Sequence, residues 1–102
     1  MTETQETVSA WITETFGSAG SNLRVAIRAN EEMSELLRDL ANDDAHPKAA
    51  EEAADVVIIL YRLFTRLGVN MDDVIDAKMA VNRARTWRVD DSGCGYHIAD
   101  AS

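Results

Sequence analysis

Apolar side chains recur every three or four residues along most of this chain, which is the spacing of amphipathic α-helices. The first such stripe contains Trp11, Ile12 and Phe16, and it ends where a glycine- and serine-containing breaker occupies residues 17–20. We therefore predict a first helix over residues 5–16. Because Trp11 lies on the stripe, core packing is its expected role, with stacking on a ligand ring as the alternative.

The second stripe predicts a longer helix over residues 23–41, and either Ser21 or Asn22 has a side chain that can cap its first turn. The stripe places six apolar residues on one broad face, namely Leu23, Ala26, Ile27, Met33, Leu37 and Leu40. Another face carries charged residues, namely Arg24, Arg28, Glu31, Glu32 and Glu35.

A third helix is predicted from Pro47, which suits the first helical position, to a stop near Gly68. Within it, residues 56–60 are apolar on every side of a helix and need cover all round. A lone domain of four short helices can hardly supply that cover. We therefore expect a homo-oligomer, a homodimer or a homotetramer, that completes an all-α four-helix bundle.

The fourth helix is expected to begin after Asn70 and to run to about Trp87, giving one domain over residues 1–88. Residues 89–102 form a C-terminal tail with a loop-like composition. Two alternatives stay open for this tail: it docks through Tyr96 and Ile98, or it is partly disordered.

Charge and composition narrow the possible partners of the chain. Its 102 residues include 18 acidic and 10 basic side chains, for a net charge of −8, which disfavours nucleic-acid polymers and anionic membranes. The longest apolar run is far shorter than the roughly 20 residues of a membrane-spanning helix. With no signal-peptide pattern and Cys94 as the single cysteine, we expect a cytoplasmic protein.

Two acidic clusters lie inside predicted helices. Glu32 pairs with Glu35, and Glu52 pairs with Asp55, each at a spacing of three residues that places both carboxylates on one helix surface. A short connection makes the two helices neighbours, so four carboxylates could converge. Such a group repels itself unless cations lie between them, and Mg²⁺ or Mn²⁺ prefers oxygen ligands. The simpler alternative is a solvated acidic face.

The order of these motifs resembles the MazG-like, all-α nucleoside triphosphate pyrophosphohydrolases. The resemblance rests on Glu31-Glu32-x-x-Glu35, Glu52-x-x-Asp55 and Lys78-x-x-x-Asn82. It implies a MazG-like bundle that hydrolyses a (deoxy)nucleoside triphosphate to the monophosphate and pyrophosphate. The implied Mg²⁺ ligands, for which Mn²⁺ is a substitute, are Glu32, Glu35, Glu52 and Asp55. Glu31, or a ligand carboxylate such as Glu35, would orient or deprotonate the attacking water.

A cationic counterpart is predicted on the fourth helix, where Lys78, Asn82 and Arg85 share one face. Lysine and arginine there would bind phosphates, and the amide of Asn82 would bind sugar, base or phosphate. Trp87 follows the cluster and has a ring that could stack on a nucleobase. The alternative for the arginines is a solvated helix end that complements the helix dipole.

Two other functions use acidic helices and are alternatives to this one. A di-iron carboxylate bundle characteristically uses Glu-x-x-His, and neither His46 nor His97 follows a glutamate at that spacing. A non-catalytic acidic helical interaction module remains the alternative. The base, the sugar and the number of metals per site stay open at this point.

Overall fold

The structure, a computed structural model, describes residues 2–98 and contains four helices followed by two short strands. The elements are α1 Gln5–Phe16, α2 Asn22–Asn42, α3 Ala49–Arg66, α4 Met71–Ala84, β1 Trp87–Val89 and β2 Gly95–His97. The predicted all-α, four-helix architecture is therefore confirmed. Within residues 2–98, no helix combines the length and the apolar character needed to cross a membrane.

Side-chain caps set the start of the first two helices. The Thr4 hydroxyl accepts the N–H of Thr7, and the Thr7 hydroxyl accepts the N–H of Thr4 in return. Of the two candidates at the start of α2, Ser21 is the cap, because its hydroxyl accepts the N–H of Arg24 at 3.1 Å. Each such cap is worth about 0.5–2 kcal/mol of stability.

Two helix ends differ from the sequence prediction. The third helix begins at Ala49 and not at Pro47, because the residues before it form a turn. In that turn Nδ1 of His46 accepts the N–H of Lys48 at 3.1 Å, and the carbonyl of His46 accepts the N–H of Ala49. The fourth helix ends at Ala84, before the predicted end at Trp87.

The first of two compact units spans Met1–Met71 and contains α1, α2 and α3. Helix α3 packs against both of the others, most extensively against α2. Polar contacts join α1 to α3: the hydroxyls of Ser9 and Thr65 lie 2.8 Å apart, and the Gln5 side chain donates to the Thr65 hydroxyl at 3.1 Å. The buried apolar residues of this unit are Ile12, Val25, Ala29, Val56 and Met71.

The broad apolar face of α2 is left largely uncovered within the first unit. Leu23 and Leu37 are 69% and 60% exposed, and Ile27 and Met33 are exposed as well. The face that packs within the unit instead contains Val25, Ala29 and Glu32. The reason is that α2 is apolar over more of its circumference than one neighbouring helix can cover. The sequence pattern marks apolar positions without telling which of them meet the same chain.

The expected core role of Trp11 is wrong. Its side chain is 55% exposed and packs edge-to-face on the ring of Phe16, with ring centroids 5.7 Å apart. Its neighbour Ile12 is the buried residue of this part of α1. In α3, Val56 is buried whereas Val57 is 40% exposed, so this apolar run is only partly covered by the chain itself.

The second unit spans Asp72–Ser102 and contains most of α4 and an antiparallel hairpin of β1 and β2. The sequence pattern showed only a loop here, because each strand has three residues, too few for an alternating pattern. The Asp90 carboxylate organises the connection. Ser92 and Tyr96 donate hydrogen bonds to it and lower its pKa, and Gly93 supplies a backbone φ of 84°. Residues 99–102 of the predicted tail lie outside the described residues.

Candidate functional site

A cavity of about 580 Å³ lies in the first unit, among α1, α2 and α3. Three kinds of side chain line it: the carboxylates Glu32 and Asp55, the guanidinium groups Arg24, Arg28 and Arg62, and the rings of Trp11 and Phe16. Its volume falls within the roughly 300–1,000 Å³ that is typical of small-molecule sites. The cavity therefore combines acidic, basic and aromatic groups within the space of one ligand.

Glu32 is the buried acid of this cavity, with 7% of the residue exposed. Arg28, one turn earlier on α2, places Nη2 2.5 Å from Oε1 of Glu32 and Nη1 3.1 Å from Oε2 of Glu31. A buried carboxylate needs a compensating charge, because burial removes the water that would stabilise it. In this structure the compensating charge of Glu32 is Arg28.

Asp55 reaches the same cavity from α3. Two of the four predicted metal ligands, Glu32 and Asp55, are thus brought together from different helices. This arrangement follows from the packing of α2 on α3 and could not arise within either helix alone.

The other acids of the motif lie toward the α2–α3 connection. The ligand atoms of Asp39, His46 and Glu52 all fall within 4.8 Å of one another, and the three residues are half-buried. Both carboxylate oxygens of Glu52 are shielded from solvent and accept no hydrogen bond. Glu35 is exposed, and it is close enough to Glu52 for its charge to act on that carboxylate.

The two neighbouring carboxylates have opposite pKa shifts. When Glu52 carries a proton it can donate a hydrogen bond to Asp39, and this contact raises the pKa of Glu52 and lowers the pKa of Asp39. Desolvation and the negative charge of Asp39 raise the pKa of Glu52 further. The pair therefore holds one charge more readily than two, unless a cation is present.

Sequence reasoning missed five residues of these two sites, namely Asp39, His46, Arg24, Arg28 and Arg62. Asp39 could have been found, because it follows Glu35 by one helical turn and therefore extends the acidic surface of α2. His46 could not, since only the turn between the helices brings its ring beside the acids. For the arginines, the sequence pattern shows only that Arg24 and Arg28 lie on a charged face of α2, and Arg62 lies within an otherwise apolar stretch that gives no sign of a site.

The acids fit a divalent cation. Their donor atoms are carboxylate oxygens, which Mg²⁺ and Mn²⁺ prefer, and the buried oxygens of Glu52 accept no hydrogen bond from residues 2–98. His46 adds a nitrogen that is better suited to Mn²⁺ than to Mg²⁺. These observations fit the cofactor that the acidic motif predicted.

The predicted substrate-binding residues lie in the second unit. Lys78 is exposed, Arg85 is half-buried, and Trp87 donates its indole N–H to the backbone carbonyl of Asn82 at 2.8 Å. The side-chain oxygen of Asn82 is buried and accepts no hydrogen bond. Asn82 and Trp87 are thus in contact, and the Asn82 amide oxygen has an unused acceptor capacity.

Comparison with known proteins relates these features to one family. The sequence model of the MazG-like family matches residues 26–97, which include both acidic motifs, α4 and the hairpin. A dATP/dGTP diphosphohydrolase of Cyanophage S-2L is 38% identical over 96 residues, covering 94% of this chain and 86% of the relative. A dATP/dGTP diphosphohydrolase of Salmonella phage PMBT28 is 28% identical over 98 residues, and this chain spans 31% of its length.

A solved structure shows the same fold. It is the Cyanophage S-2L MazG-like pyrophosphohydrolase bound to dGDP and three catalytic Mn²⁺ ions per active site, and it superposes with a TM-score of 0.77 at 36% identity. The match covers 95% of this chain and 91% of that one. The likeness thus extends over nearly the whole of both chains.

Proposed function

This chain belongs to the MazG-like family, and from that membership we propose that it is a nucleotide pyrophosphohydrolase. It hydrolyses a (deoxy)nucleoside triphosphate to the nucleoside monophosphate and pyrophosphate with Mg²⁺, for which Mn²⁺ can substitute. Because the phage relatives are dATP/dGTP diphosphohydrolases, the proposed substrates are the purine deoxynucleoside triphosphates. The reaction belongs to the cytoplasm, which suits a chain whose single cysteine is free.

The observation that carries this proposal is the composition of the cavity among α1, α2 and α3. A non-catalytic acidic module would keep its carboxylates in solvent, whereas Glu32 is buried beside Arg28 and shares a cavity with Asp55. Acids, arginines and aromatic rings in one cavity match the three parts of a metal nucleotide: the cation, the phosphates and the base. An acidic face that only keeps the protein soluble would explain neither the arginines nor the aromatic rings of this cavity.

Two arginines of α2 are the proposed phosphate ligands. Arg24 and Arg28 are exposed enough to reach a ligand in the cavity, and their guanidinium groups can bind phosphate oxygens bidentately. Arg62 has a second task, because it donates a hydrogen bond to the carbonyl of Gly17 and so holds the α1–α2 connection. Its role in substrate binding is therefore more indirect.

Glu32, Glu35, Glu52 and Asp55 are the proposed cation ligands, and Asp39 and His46 lie beside Glu52. When bound, the cation would neutralise the phosphates and activate a water for attack at phosphorus. Glu35 and Glu31 are the proposed groups that orient this water or accept its proton. Glu31 is paired with Arg28 in this structure, whereas Glu35 makes no ion pair within residues 2–98.

The base is proposed to bind at the aromatic end of the cavity. The edge-to-face pair of Trp11 and Phe16 presents apolar ring surface there, and both rings are more than half exposed. An exposed tryptophan face is a stacking platform for any nucleobase and favours the larger purine rings. Lys78, Asn82, Arg85 and Trp87 of the second unit remain proposed contacts of the substrate, supported by the unused acceptor of Asn82.

We also propose that the protein is a homodimer or a homotetramer. The supporting observation is the apolar face of α2 that the chain leaves open, which includes Leu23, Ile27 and Leu37. The partly covered α3 also supports a homo-oligomer, since Val57 is 40% exposed. Apolar faces of this kind are covered in helical bundles by a symmetry-related copy.

The deciding experiment is a product assay with the eight standard NTPs and dNTPs in the presence of Mg²⁺ or Mn²⁺. We expect pyrophosphate and the nucleoside monophosphate in equal amounts, with dATP and dGTP as the best substrates and no release of inorganic phosphate. Glu35→Ala and Asp55→Ala should each reduce the rate at least about 100-fold, because they remove charge that stabilises the transition state.

Glu51→Ala is the matched control, because this exposed glutamate lies beside Glu52 outside the proposed ligand set. Its rate should equal that of the wild type. If the whole panel yields no pyrophosphate, the acidic interaction module becomes the better explanation. A melting temperature that fails to rise with millimolar Mg²⁺ would support the same conclusion.

A further inference from the structure

Arg28 contacts a carboxylate that a bound cation would also need. Its guanidinium group is the counter-charge of the buried Glu32, at 2.5 Å, and a second contact at 3.1 Å ties it to Glu31. Glu32 is also a proposed ligand of the cation. A guanidinium and a divalent cation both need the negative charge of this carboxylate, so they compete for it.

We propose that Arg28 is an exchangeable counter-ion of the active site, an inference that rests on the proposed function. Arg28 neutralises Glu32 while no cation is bound, and it transfers to the phosphates of the substrate when the cation takes Glu32. The side chain of Arg28 is 54% exposed and lines the same cavity, so the guanidinium has both the freedom and the space for this exchange.

The exchange links metal binding to nucleotide binding. Without nucleotide, a cation that displaces Arg28 leaves a guanidinium with no acidic partner except Glu31. With nucleotide present, the phosphates receive Arg28, and the displacement no longer costs an ion pair. The two ligands must then strengthen each other's binding by the same factor, and Arg28 supplies part of this coupling.

The test is the affinity for Mn²⁺, measured from the electron paramagnetic resonance signal of the free ion, without nucleotide. We expect Arg28→Gln to bind Mn²⁺ about tenfold more tightly than the wild type, since a competing charge-assisted contact has been removed. Arg28→Lys keeps the charge but loses the bidentate fork, so its affinity should fall between the two.

Arg24→Gln is the control for general charge in the cavity. Arg24 lies one turn earlier on α2 and lines the same cavity, but it makes no ion pair within residues 2–98. Its affinity for Mn²⁺ should stay within about twofold of the wild type, because the effect of an exposed, screened charge is small. A non-hydrolysable dATP analogue should tighten Mn²⁺ binding more in the wild type than in Arg28→Gln.

An affinity of Arg28→Gln for Mn²⁺ equal to or weaker than that of the wild type overturns the exchange. So does the absence of Mn²⁺ binding in both proteins. The product assay reports separately on the proposed function: pyrophosphate release by a wild type whose Mn²⁺ affinity does not depend on Arg28 leaves the function intact and removes the exchange. Melting curves add a check on folding, because Mn²⁺ should raise the melting temperature of Arg28→Gln more than that of the wild type.

Discussion

Single residues of the acidic motif have different environments, although their spacing makes them look equivalent. Glu32 is buried and paired with Arg28, whereas Glu35 is exposed. Glu52 is half-buried beside Asp39, with oxygens that accept no hydrogen bond. A charged carboxylate in such surroundings lowers the stability of the fold. Residues that lower stability in this way are often retained because they serve the function.

Replacement of Glu52 by glutamine should therefore stabilise the metal-free protein. The pKa of Glu52 is raised above its ordinary value of 4.5, so its charged form is the one that the fold disfavours. The cost is present above the raised pKa, where the folded state must hold the charge, and it disappears below about pH 4, where Glu52 is protonated in both folded and unfolded chains. Glu52→Gln keeps a hydrogen-bond donor for Asp39 and removes the charge.

We expect a melting temperature a few degrees above that of the wild type at pH 7, and no difference at about pH 4. Thermal melts in a chelator at both pH values make this measurement. Glu51→Gln, at an exposed neighbouring position, should match the wild type throughout. A Glu52→Gln protein that melts below the wild type at pH 7 would show that the charge of Glu52 is stabilising after all.

At the scale of elements, each helix of the first unit contributes one part of the cavity. Helix α2 brings Glu32 and the two proposed phosphate ligands, α3 brings Asp55, and α1 brings the aromatic pair. The connection between α1 and α2 is held from α3, where Arg66 donates to the Asn22 side chain at 2.8 Å and to the carbonyl of Ala19. The aromatic end of the cavity is thus anchored to the helix that carries Asp55.

The contribution of α1 can be tested through Trp11. Trp11→Ala should raise KM for dATP about tenfold and leave kcat within about threefold, because stacking on a base is worth about 1–3 kcal/mol and acts far from the reacting phosphorus. Steady-state kinetics of pyrophosphate release give both constants. Thr13→Ala, an exposed position of the same helix that does not line the cavity, serves as the control. An unchanged KM would show that the base does not stack on Trp11 and binds to another surface.

At the scale of the whole molecule, the apolar surface exceeds what the described chain can bury. The exposed large apolar side chains lie on α1, α2, α3, α4 and the hairpin, and few residues are deeply buried. This exposure supports the homo-oligomer proposed above, because large exposed apolar patches are typical of interaction surfaces. The proposed partner is a second copy of the chain, since most soluble oligomers are symmetric homo-oligomers.

Leu37→Lys should weaken the assembly, because a buried leucine contributes about 1.5–3 kcal/mol and a symmetric interface contains the position twice. Sedimentation velocity should show a wild-type dimer or tetramer and a smaller species for the variant at low micromolar concentration. Thr13→Lys adds the same charge at an exposed position of α1 and should leave the mass unchanged. A wild type that sediments as a monomer at all concentrations would contradict the proposed assembly.

The sequence by itself determined the elements whose causes are local. Helix boundaries follow from caps and breakers that act within a few residues, so α1 was predicted at its observed bounds and α2 within one residue at each end. The pairing of acids three residues apart is likewise a property of one helix. The order of the acidic motifs identified the family before any contact was known.

The tertiary structure alone decided which side chains meet. It buries Glu32 and leaves Glu35 exposed, although both lie on the same helix. The turn at Pro47 brings His46 beside Asp39, and the packing of three helices places Asp55 in one cavity with the arginines of α2. The hairpin is likewise visible only in the tertiary structure, because its pairing joins residues 87 and 97 and neither strand has a sequence pattern of its own. The physical reason is the same in each case: a periodic pattern shows which face of an element is apolar or charged, whereas packing selects the partner of that face.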